Sequence, residues 1–546
     1  MKYPTEPGGS HASTPSPLHR MLGFLPIALM VIAVGLLARR VLGWLRVSID
    51  ATTSPLQIDY GEGVVWQQAI MIMRGEGYAP LAEEPYIVFH YPPVFHVGMW
   101  FTGLFTEDML AGGRLFSILM TLLAAAVFGA MVFEALMRQR NPLHIVVAGM
   151  LGLIAAGLIV DTLPVASWGF LARVDMVALA AGAIAAWAGL RAHRQPAMVW
   201  VTAVFVAISL YSKQSFVALP AAIFGTMLLL SPRTALKSMG ICLAIGLGTL
   251  AGLMVMSGGR FLTHVVGYNI NPFQIGQLRH VEEFIAADGA VVLAGLGAMV
   301  ALLIQTGSTL MRLGPRAFLQ EMREERGLHF TVFALLLFFA ASATLPLVLK
   351  KGSNVNYLME WVVALVMLAT LALGRLFATR ALTTRSPLIA ALLVAVLGAS
   401  GARGYVFWDY SVLPGGSNAG LDQMIAEAEK PVISEEMVAV LRAGKEVLWE
   451  GAIHGHLEAF GRYDSTPLIE RIERDDFAFF VIRTAVEDGR EHASFPETVL
   501  AAIREHYPQR QRYGGYVAYL PSDMDPIGGE PLDPSSARAA DAATTE

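Results

Sequence analysis

Two carboxylates separated by two residues lie in a glycine-rich turn near the start of the chain, Ile58-Asp59-Tyr60-Gly61-Glu62-Gly63. Glycine permits tight bends and positive φ, so the side chains of Asp59 and Glu62 could face one cleft. Paired acids of this kind suit a general base that takes a proton from a hydroxyl group. The alternative is a solvated turn in which Asp59 only caps a helix that starts near Glu62.

The composition identifies the surroundings of this turn as a membrane. The 546 residues are 55% hydrophobic and only 15% charged, and the mean hydropathy is +0.54. Apolar runs that recur along such a chain indicate a helical protein with many spans. The single cysteine, Cys242, excludes disulfides within the chain and any site of several cysteines. No basic tract suggests nucleic acid as a partner.

The apolar runs predict an α-helical polytopic membrane domain over residues 21–403, after a disordered cytoplasmic tail at 1–20. Between the first two spans lies a loop at 46–111, whose apolar stretches 63–73 and 94–105 are too short to cross a bilayer. We expect these stretches to form helices in the membrane interface. Eleven spans are predicted, near 21–45, 112–136, 144–160, 168–190, 197–212, 215–231, 238–256, 286–305, 329–348, 356–374 and 386–402.

Basic residues concentrate in alternate loops, which the positive-inside rule places in the cytoplasm. The N-terminus is then cytoplasmic, and the loop at 46–111 and everything after the eleventh span lie outside. Residues 404–525 lose the long apolar runs, and short strands alternate with helices there, which predicts a small α/β periplasmic domain. The predicted strands are 431–434, 447–449, 477–482 and 516–520, and the predicted helices are 435–441 and 496–506. Residues 526–546 are predicted to be a disordered tail.

Polar residues that are costly near a membrane cluster on the predicted outer side, and such residues are usually functional. Snorkelling of individual lysines and arginines, or helix capping by individual acids, is the alternative for each one taken alone. With the two acids of the first turn, the candidate site residues are Asp59, Glu62, His90, Tyr91, Arg114, Asp161, Arg173, Asp175, Lys213, Gln214, Lys351, Asn356, Tyr357 and Glu360.

The order of these motifs resembles the membrane glycosyltransferases of the GT-C fold, the glycosyltransferase family 39-like group that includes protein O-mannosyltransferases and the aminoarabinose transferase of lipid A. The resemblance covers residues 1–403, and the C-terminal part is similar to the outer domain that many members carry. It departs from the O-mannosyltransferases in one respect, because their two acids are adjacent and here two residues separate Asp59 from Glu62. The matching pieces are Asp59-Tyr60-Gly61-Glu62-Gly63, Tyr91-Pro92-Pro93, Arg114, Arg173-Val174-Asp175, Tyr211-Ser212-Lys213-Gln214 and the stretch from Lys351 to Glu360.

The resemblance implies an inverting transfer of a sugar from a polyprenyl-phosphate donor to a lipid, polysaccharide or protein acceptor at the outer face of a bacterial inner membrane. Asp59 is the first candidate for the base and Glu62 the second. Because the leaving phosphate needs cations, Lys213, Arg173 and Lys351 are its candidate partners, and the other candidates would bind substrate. No metal or cofactor motif is evident, and a divalent cation stays an open alternative. The rival functions are a transporter or flippase of lipid-linked sugars and a polysaccharide polymerase or ligase.

Overall fold

A computed structural model describes residues 17–137, 142–378, 386–402, 418–483 and 495–532. The predicted N-terminal tail up to residue 16 and the end of the predicted C-terminal tail, from residue 533, lie outside these ranges. Helices dominate the first 402 residues. They are α1 (Pro17–Thr53), α2 (Tyr60–Arg74), α3 (Val94–Gly103), α4 (Met109–Leu136), α5 (Pro142–Asp161), α6 (Leu163–Trp168), α7 (Asp175–Gly189), α8 (Met198–Ser212), α9 (Ala218–Leu230), α10 (Pro232–Met256), α11 (Phe261–Val265), α12 (Arg279–Glu324), α13 (Arg326–Thr344), α14 (Met359–Ala378) and α15 (Ser386–Ala402).

Within the described ranges, seven helical segments are long and apolar enough to cross a membrane. They belong to α1, α4, α5, α10, α12, α13 and α14. Each predicted span thus coincides with a helix, because α7, α8, α9 and the apolar part of α15 are shorter apolar helices at the four remaining positions. The protein is a multi-pass helical membrane protein, as predicted, and the number of spans stays a prediction.

The membrane helices pack around a continuous apolar core in which α14 is the most enclosed span. Its closest partners are α12, α13 and α5. In contrast, α10 packs mainly on α8 and α9, and none of its most apolar stretch is buried. Helix α12 is interrupted at Gly314, whose φ of 77° leaves the helical region just before Pro315.

Both short apolar stretches of the first loop form helices, as predicted. Helix α2 is not a surface helix, however, because residues 61–69 are all buried. It lies between α3, the start of α4, and a helix of the C-terminal region. Its enclosed position places the acidic turn at 59–62 in the interior.

The C-terminal region is a small α/β unit. Its helices are α16 (Ala419–Glu427), α17 (Met437–Arg442), α18 (Gly451–Ala459), α19 (Thr466–Glu473) and α20 (Glu497–His506). Its strands are β1 (Val432–Ser434), β2 (Phe479–Arg483), β3 (Gln509–Tyr513), β4 (Tyr516–Leu520) and β5 (Glu530–Pro531). In the described part they form one sheet in the order β1-β2-β4-β3-β5, in which β1 and β2 are parallel and the other neighbours antiparallel.

Three of the four predicted strands are in this sheet, and the fourth is wrong. Residues 447–449 instead run beside the first loop, where Trp449 forms an isolated bridge with Tyr86 and the backbone N–H of Tyr86 donates to the carbonyl of Leu448 at 2.8 Å. Val447 and Trp449 are buried in apolar clusters that also contain residues of β1, β2 and β4, but their segment is not a strand of the sheet.

Candidate active site

The acidic turn is built as a helix start. Asp59 precedes α2 with extended backbone, and its Oδ1 accepts from the N–H of Gly61 at 3.1 Å. Glu62 reaches back, and its Oε2 accepts from the N–H groups of Ile58 at 3.0 Å and Asp59 at 3.2 Å. This reciprocal arrangement is a capping box. The two acids therefore lie close together, and Asp59 also caps α2 as the alternative interpretation expected.

Glu62 is the centre of a buried clamp. Arg114 donates to both of its oxygens, at 2.9 Å and 2.7 Å, and neither side chain is exposed. The N–H of Ala172 also donates to Oε1, at 3.0 Å. Burial alone would raise the pKa of Glu62, but Arg114 and the backbone donors outweigh it and lower that pKa. Five donors occupy this carboxylate, which leaves it no free acceptor for a substrate hydroxyl.

Arg114 also holds the chain around this buried ion pair, because it donates to three backbone carbonyls. Its guanidinium donates to the carbonyls of Ala51 at 2.7 Å, Ser54 at 3.0 Å and Leu56 at 2.7 Å. The residue thereby joins the end of α1, the first loop and α4. With all five donors used inside the protein, Arg114 has none for a phosphate, and the expectation that it binds substrate is replaced by a structural role.

Asp59 is in a different environment from Glu62. Arg173, which precedes α7, places Nη1 3.0 Å from Oδ1 of Asp59, and the two side chains keep 15% and 25% of their surface accessible. Burial raises the pKa of Asp59, and Arg173 opposes that shift. Among the described residues, the hydrogen bond from Gly61 and the ion pair with Arg173 both use Oδ1, which leaves Oδ2 to accept a hydrogen bond from a bound hydroxyl.

Gly61 makes the approach of Arg173 possible. A Cβ at Gly61 would lie 1.2 Å from Nη1 and 2.5 Å from Cζ of Arg173. No side chain can occupy that space unless the guanidinium moves. Gly61 is therefore needed mainly because it lets the guanidinium of Arg173 lie directly against the start of α2.

A second polar cluster lies where α7, α8 and the start of α14 meet. Lys213 forms an ion pair with Asp175, and Asn356 donates to the same Asp175 oxygen at 2.8 Å. The ammonium of Lys213 also lies 4.7 Å from the ring centre of Tyr357. Asp175 Oδ2 and Asn356 Oδ1 are buried without a hydrogen-bond partner among the described residues, so the cluster has capacity for a polar ligand.

A cavity of about 10 Å³ lies beside this cluster. Glu360 lies at its wall, where its carboxylate accepts from the N–H of Leu219 at 2.6 Å and so caps the start of α9. This volume is far below the ~300–1,000 Å³ of whole-ligand pockets and holds about one water molecule, so a phosphate at this cluster requires the lining side chains to move apart. Its lining residues are Lys213, Ser215, Phe216, Thr344, Leu347, Asn356, Tyr357 and Glu360.

His90 and Tyr91, in the first loop, lie near Arg173. The carbonyl of His90 accepts from Gln214 at 2.9 Å and from Asn269 at 3.1 Å. Burial, and then Arg173, lowers the pKa of His90 to about 3, so its ring is neutral. The side-chain amide of Gln214 thus anchors the first loop by its bond to His90. Its Oε1 is buried without a partner among the described residues.

Lys350, and not Lys351, is the lysine that lies near His90 and Asn269. Its ammonium donates to the carbonyl of Asn269 at 2.9 Å, and burial followed by the charge of Lys213 lowers its pKa. Lys351 is exposed, and its carbonyl accepts from Asn271 at 2.9 Å. Two adjacent lysines give no sequence signal that distinguishes them, because the turn at Gly352 decides which one points inward.

Asp161 is also placed differently from the expectation. Its Oδ1 forms a 2.5 Å ion pair with Arg40 of α1, and both side chains are nearly buried. The pair joins α1 to the end of α5, which accounts for both residues structurally. Among the described residues, no group of three or more histidine, cysteine or acidic side chains is arranged to hold a metal ion, and the open alternative of a divalent cation gains no ligand set here.

The C-terminal region completes the surroundings of the acidic turn. Gln57 donates to the carbonyl of Glu435 at 2.8 Å and accepts from the N–H of Met437 at 3.1 Å. Glu450 lies close enough to Arg173 for the two charges to interact. Neither acid carries a sequence signal, since each is about 380 residues from Asp59 and the contact arises only from the fold.

Comparison with known proteins identifies the fold. No protein-family model matches the chain, and no curated protein matches it by sequence. Among solved structures, ArnT from Cupriavidus metallidurans bound to undecaprenyl phosphate aligns with a TM-score of 0.50 and 13% identity, over 89% of this chain and 99% of that chain. The apo state of the same protein aligns with a TM-score of 0.50 and 12% identity, over 90% and 99% of the two chains.

The oligosaccharyltransferase of Archaeoglobus fulgidus in its apo form aligns more loosely, with a TM-score of 0.42 and 11% identity, over 93% of this chain and 76% of that chain. The two ArnT structures establish that this chain has their fold, the GT-C fold. The predicted fold class is confirmed. Identities this low establish the fold alone, so function has to be argued from the site.

Proposed function

We propose that the protein is an inverting glycosyltransferase that moves a sugar from a polyprenyl-phosphate donor to a cell-envelope acceptor. The observation that carries this proposal is the arrangement of a partly accessible acid, Asp59, on Arg173 beside the Lys213 cluster. A base and cations for a phosphate are the two requirements of this reaction. The fold supports it, because a protein with the same fold was crystallised with undecaprenyl phosphate.

Asp59 is the proposed base. The acceptor hydroxyl donates to Oδ2, its oxygen attacks the anomeric carbon, and the bond from that carbon to the phosphate oxygen breaks with its electron pair on the phosphate. The hydroxyl proton ends on Asp59. Burial makes the carboxylate a stronger base than a free aspartate, and Arg173 keeps it ionised before the reaction. Glu62 is not the base in this proposal, because its lone pairs are already used.

Lys213 and Lys350 are the proposed partners of the leaving phosphate. The phosphate leaves as a stable anion, so it needs positive charge and no general acid. Lys213 lines the small cavity near the start of α14, and Lys350 lies within electrostatic reach of Lys213. Asn356 and Tyr357 border the same cavity and would orient the phosphate or the first atoms of the sugar.

The proposal places the site on the outer side of a bacterial inner membrane, with the N-terminus in the cytoplasm. The distribution of basic loops supports this orientation. The site residues support it too, since they sit at one end of the bundle, where the first loop and the C-terminal region enclose them. The C-terminal region would then be periplasmic.

The reaction can be tested in proteoliposomes that contain the purified protein. Radiolabelled polyprenyl-phosphate sugars are supplied one at a time, with a membrane extract as the source of acceptor, and released polyprenyl phosphate is measured. We expect one donor to be consumed and its label to appear in the acceptor with inverted anomeric configuration. Movement of intact donor between leaflets without its cleavage would contradict the proposal and identify a flippase.

A further inference from the structure

The C-terminal region contacts the acidic turn closely enough to form one wall of its surroundings. Gly63 packs so tightly on α17 that a Cβ there would lie 2.4 Å from the Cβ of Met437. Farther along α2, Gln67 accepts from the N–H of Val447 at 3.1 Å. The segment from Val447 to Trp449 then runs to Tyr86 in the first loop. The chain enters α18 directly after this contact, and Glu450 is the residue at that point.

Glu450 is a buried acid in which one carboxylate oxygen, Oε2, has no hydrogen-bond partner among the described residues. Only 6% of the residue is exposed. Tyr60, the neighbour of Asp59, interacts electrostatically with Glu450, and its hydroxyl is also buried without a hydrogen-bond partner in the described part of the chain. A buried carboxyl with an unused oxygen is costly to keep unless a ligand or a proton satisfies it.

Burial favours the neutral form of Glu450. Burial raises the pKa of Glu450 to about 8, Arg173 opposes that shift, and the nearby Glu435 adds to it. Tyr60 is kept in its phenol form by burial. Burial also lowers the pKa of His454, one turn along α18, to about 4, so this ring adds no positive charge. At pH 7 the carboxyl is therefore a hydrogen-bond donor and not an anion.

The position of Glu450 relative to Asp59 indicates whether it would contact the sugar donor or the acceptor. Arg173 interacts electrostatically with Asp59, with Asp175 on the membrane side and with Glu450 on the C-terminal side. In an inverting displacement the attacking hydroxyl and the leaving phosphate lie on opposite sides of the anomeric carbon. Since Lys213, the proposed partner of the phosphate, is paired with Asp175, the acceptor approaches from the side of Glu450.

We propose that Glu450 is an acceptor-binding residue contributed by the C-terminal region, and that its carboxyl donates a hydrogen bond to an oxygen of the acceptor next to the hydroxyl that Asp59 deprotonates. This proposal rests on the proposed function and deepens it. It makes the C-terminal region part of the active site, and it requires an acceptor with a second polar oxygen beside the reacting one, as in a sugar or a lipid headgroup.

The test compares Glu450→Gln and Glu450→Ala with Glu470→Gln, an exposed acid of α19 in the same region. Glutamine can still donate, so Glu450→Gln should keep transfer near the wild-type rate at pH 7. Glu450→Ala should raise the apparent KM for the acceptor in membrane extract about tenfold, the effect of one lost hydrogen bond, with kcat little changed. Inactive Glu450→Gln, or an unchanged KM in Glu450→Ala, would overturn the proposal.

A pH profile separates this role from a structural one. Wild-type transfer should fall as the pH rises through about 8, where Glu450 loses its proton, and Glu450→Gln should lack that fall. Lys350, whose pKa is also lowered, would produce an alkaline fall that persists in Glu450→Gln. Persistence of the whole fall in the glutamine variant would contradict the proposal.

A readout without turnover keeps this inference distinct from the proposed function. Infrared spectra at pH 7 should show a protonated carboxyl band in the wild type that is missing in Glu450→Gln and present in Glu470→Gln. Binding of undecaprenyl phosphate, measured by native mass spectrometry, should be equal in all three proteins. If the band is missing from the wild type, the inference fails, whatever donor is used. If the band is present but no donor is consumed, the proposed function fails and the acceptor-binding role falls with it.

Discussion

Replacing Gly61 by alanine should remove activity without removing the fold. The new Cβ would lie 1.2 Å from Nη1 of Arg173, so the guanidinium has to leave Asp59. It can do so at little cost to stability because it is the free end of a long side chain. The substitution also favours helix formation by up to ~1 kcal/mol, so the melting temperature in detergent should stay the same or rise slightly.

The size of the loss follows from the contact that is removed. A hydrogen bond to a charged group contributes about 1.5–3 kcal/mol, and each ~1.4 kcal/mol changes a rate tenfold. We therefore expect kcat to fall roughly 10- to 100-fold in Gly61→Ala. The assay is release of polyprenyl phosphate under saturating donor. Gly289→Ala, at a helical glycine with open space around its Cβ position, is the matched control and should keep normal activity.

A double variant tests whether the loss acts through Arg173. If both substitutions remove the same contact, Gly61→Ala combined with Arg173→Ala should be no slower than Arg173→Ala alone. Additive losses would mean that Gly61 acts through something other than this guanidinium. Normal turnover in Gly61→Ala with an intact fold would refute the reasoning altogether.

Other predictions follow from the same geometry. Glu62→Gln breaks a buried ion pair with Arg114, and it should lower the free energy of unfolding by about 3–5 kcal/mol, visible as a lower melting temperature in detergent; unchanged melting would contradict the structural role. Lys350→Ala should weaken binding of undecaprenyl phosphate roughly tenfold by loss of a charged donor, whereas Lys351→Ala should leave binding unchanged, and the opposite order would assign the phosphate to the exposed lysine. Transfer should fall as the pH drops through the raised pKa of Asp59, and Arg173→Ala should move that fall to higher pH, because Arg173 lowers this pKa; a fall that stays in place would show that another group sets it.

The sequence predicted the helices well because long apolar runs have one stable structure in a bilayer. It predicted less of the C-terminal region, where β3 was missed and where β5 lies within the stretch 526–546 that was wrongly predicted to be disordered throughout. The residues Gln509-Arg510-Gln511-Arg512-Tyr513 carry no apolar alternation, and this strand is stabilised by pairing with β4 and β5 on its two sides. Pairing partners that are distant in sequence cannot be read from local pattern.

The same limit applies to the candidate site. Asp59, Arg173, Asp175, Lys213 and Asn356 were named from motif order, and the fold brings them together. Which acid is buried in an ion pair and which stays accessible depends on where Arg114 and Arg173 reach, and sequence spacing does not contain that information. Glu450 was missed for a related reason, because it is an unremarkable acid until the C-terminal region packs against the turn.

The most direct measurement of the central claim is single-turnover transfer by Asp59→Asn. The asparagine keeps the shape and the cap of α2 but cannot take a proton, so the account predicts donor binding like that of the wild type and a rate of sugar transfer at least about 100-fold lower, the usual scale for loss of a general base. Asp50→Asn, at an exposed position of α1, should transfer normally. Near-normal transfer by folded Asp59→Asn would contradict the assignment of Asp59 as the base.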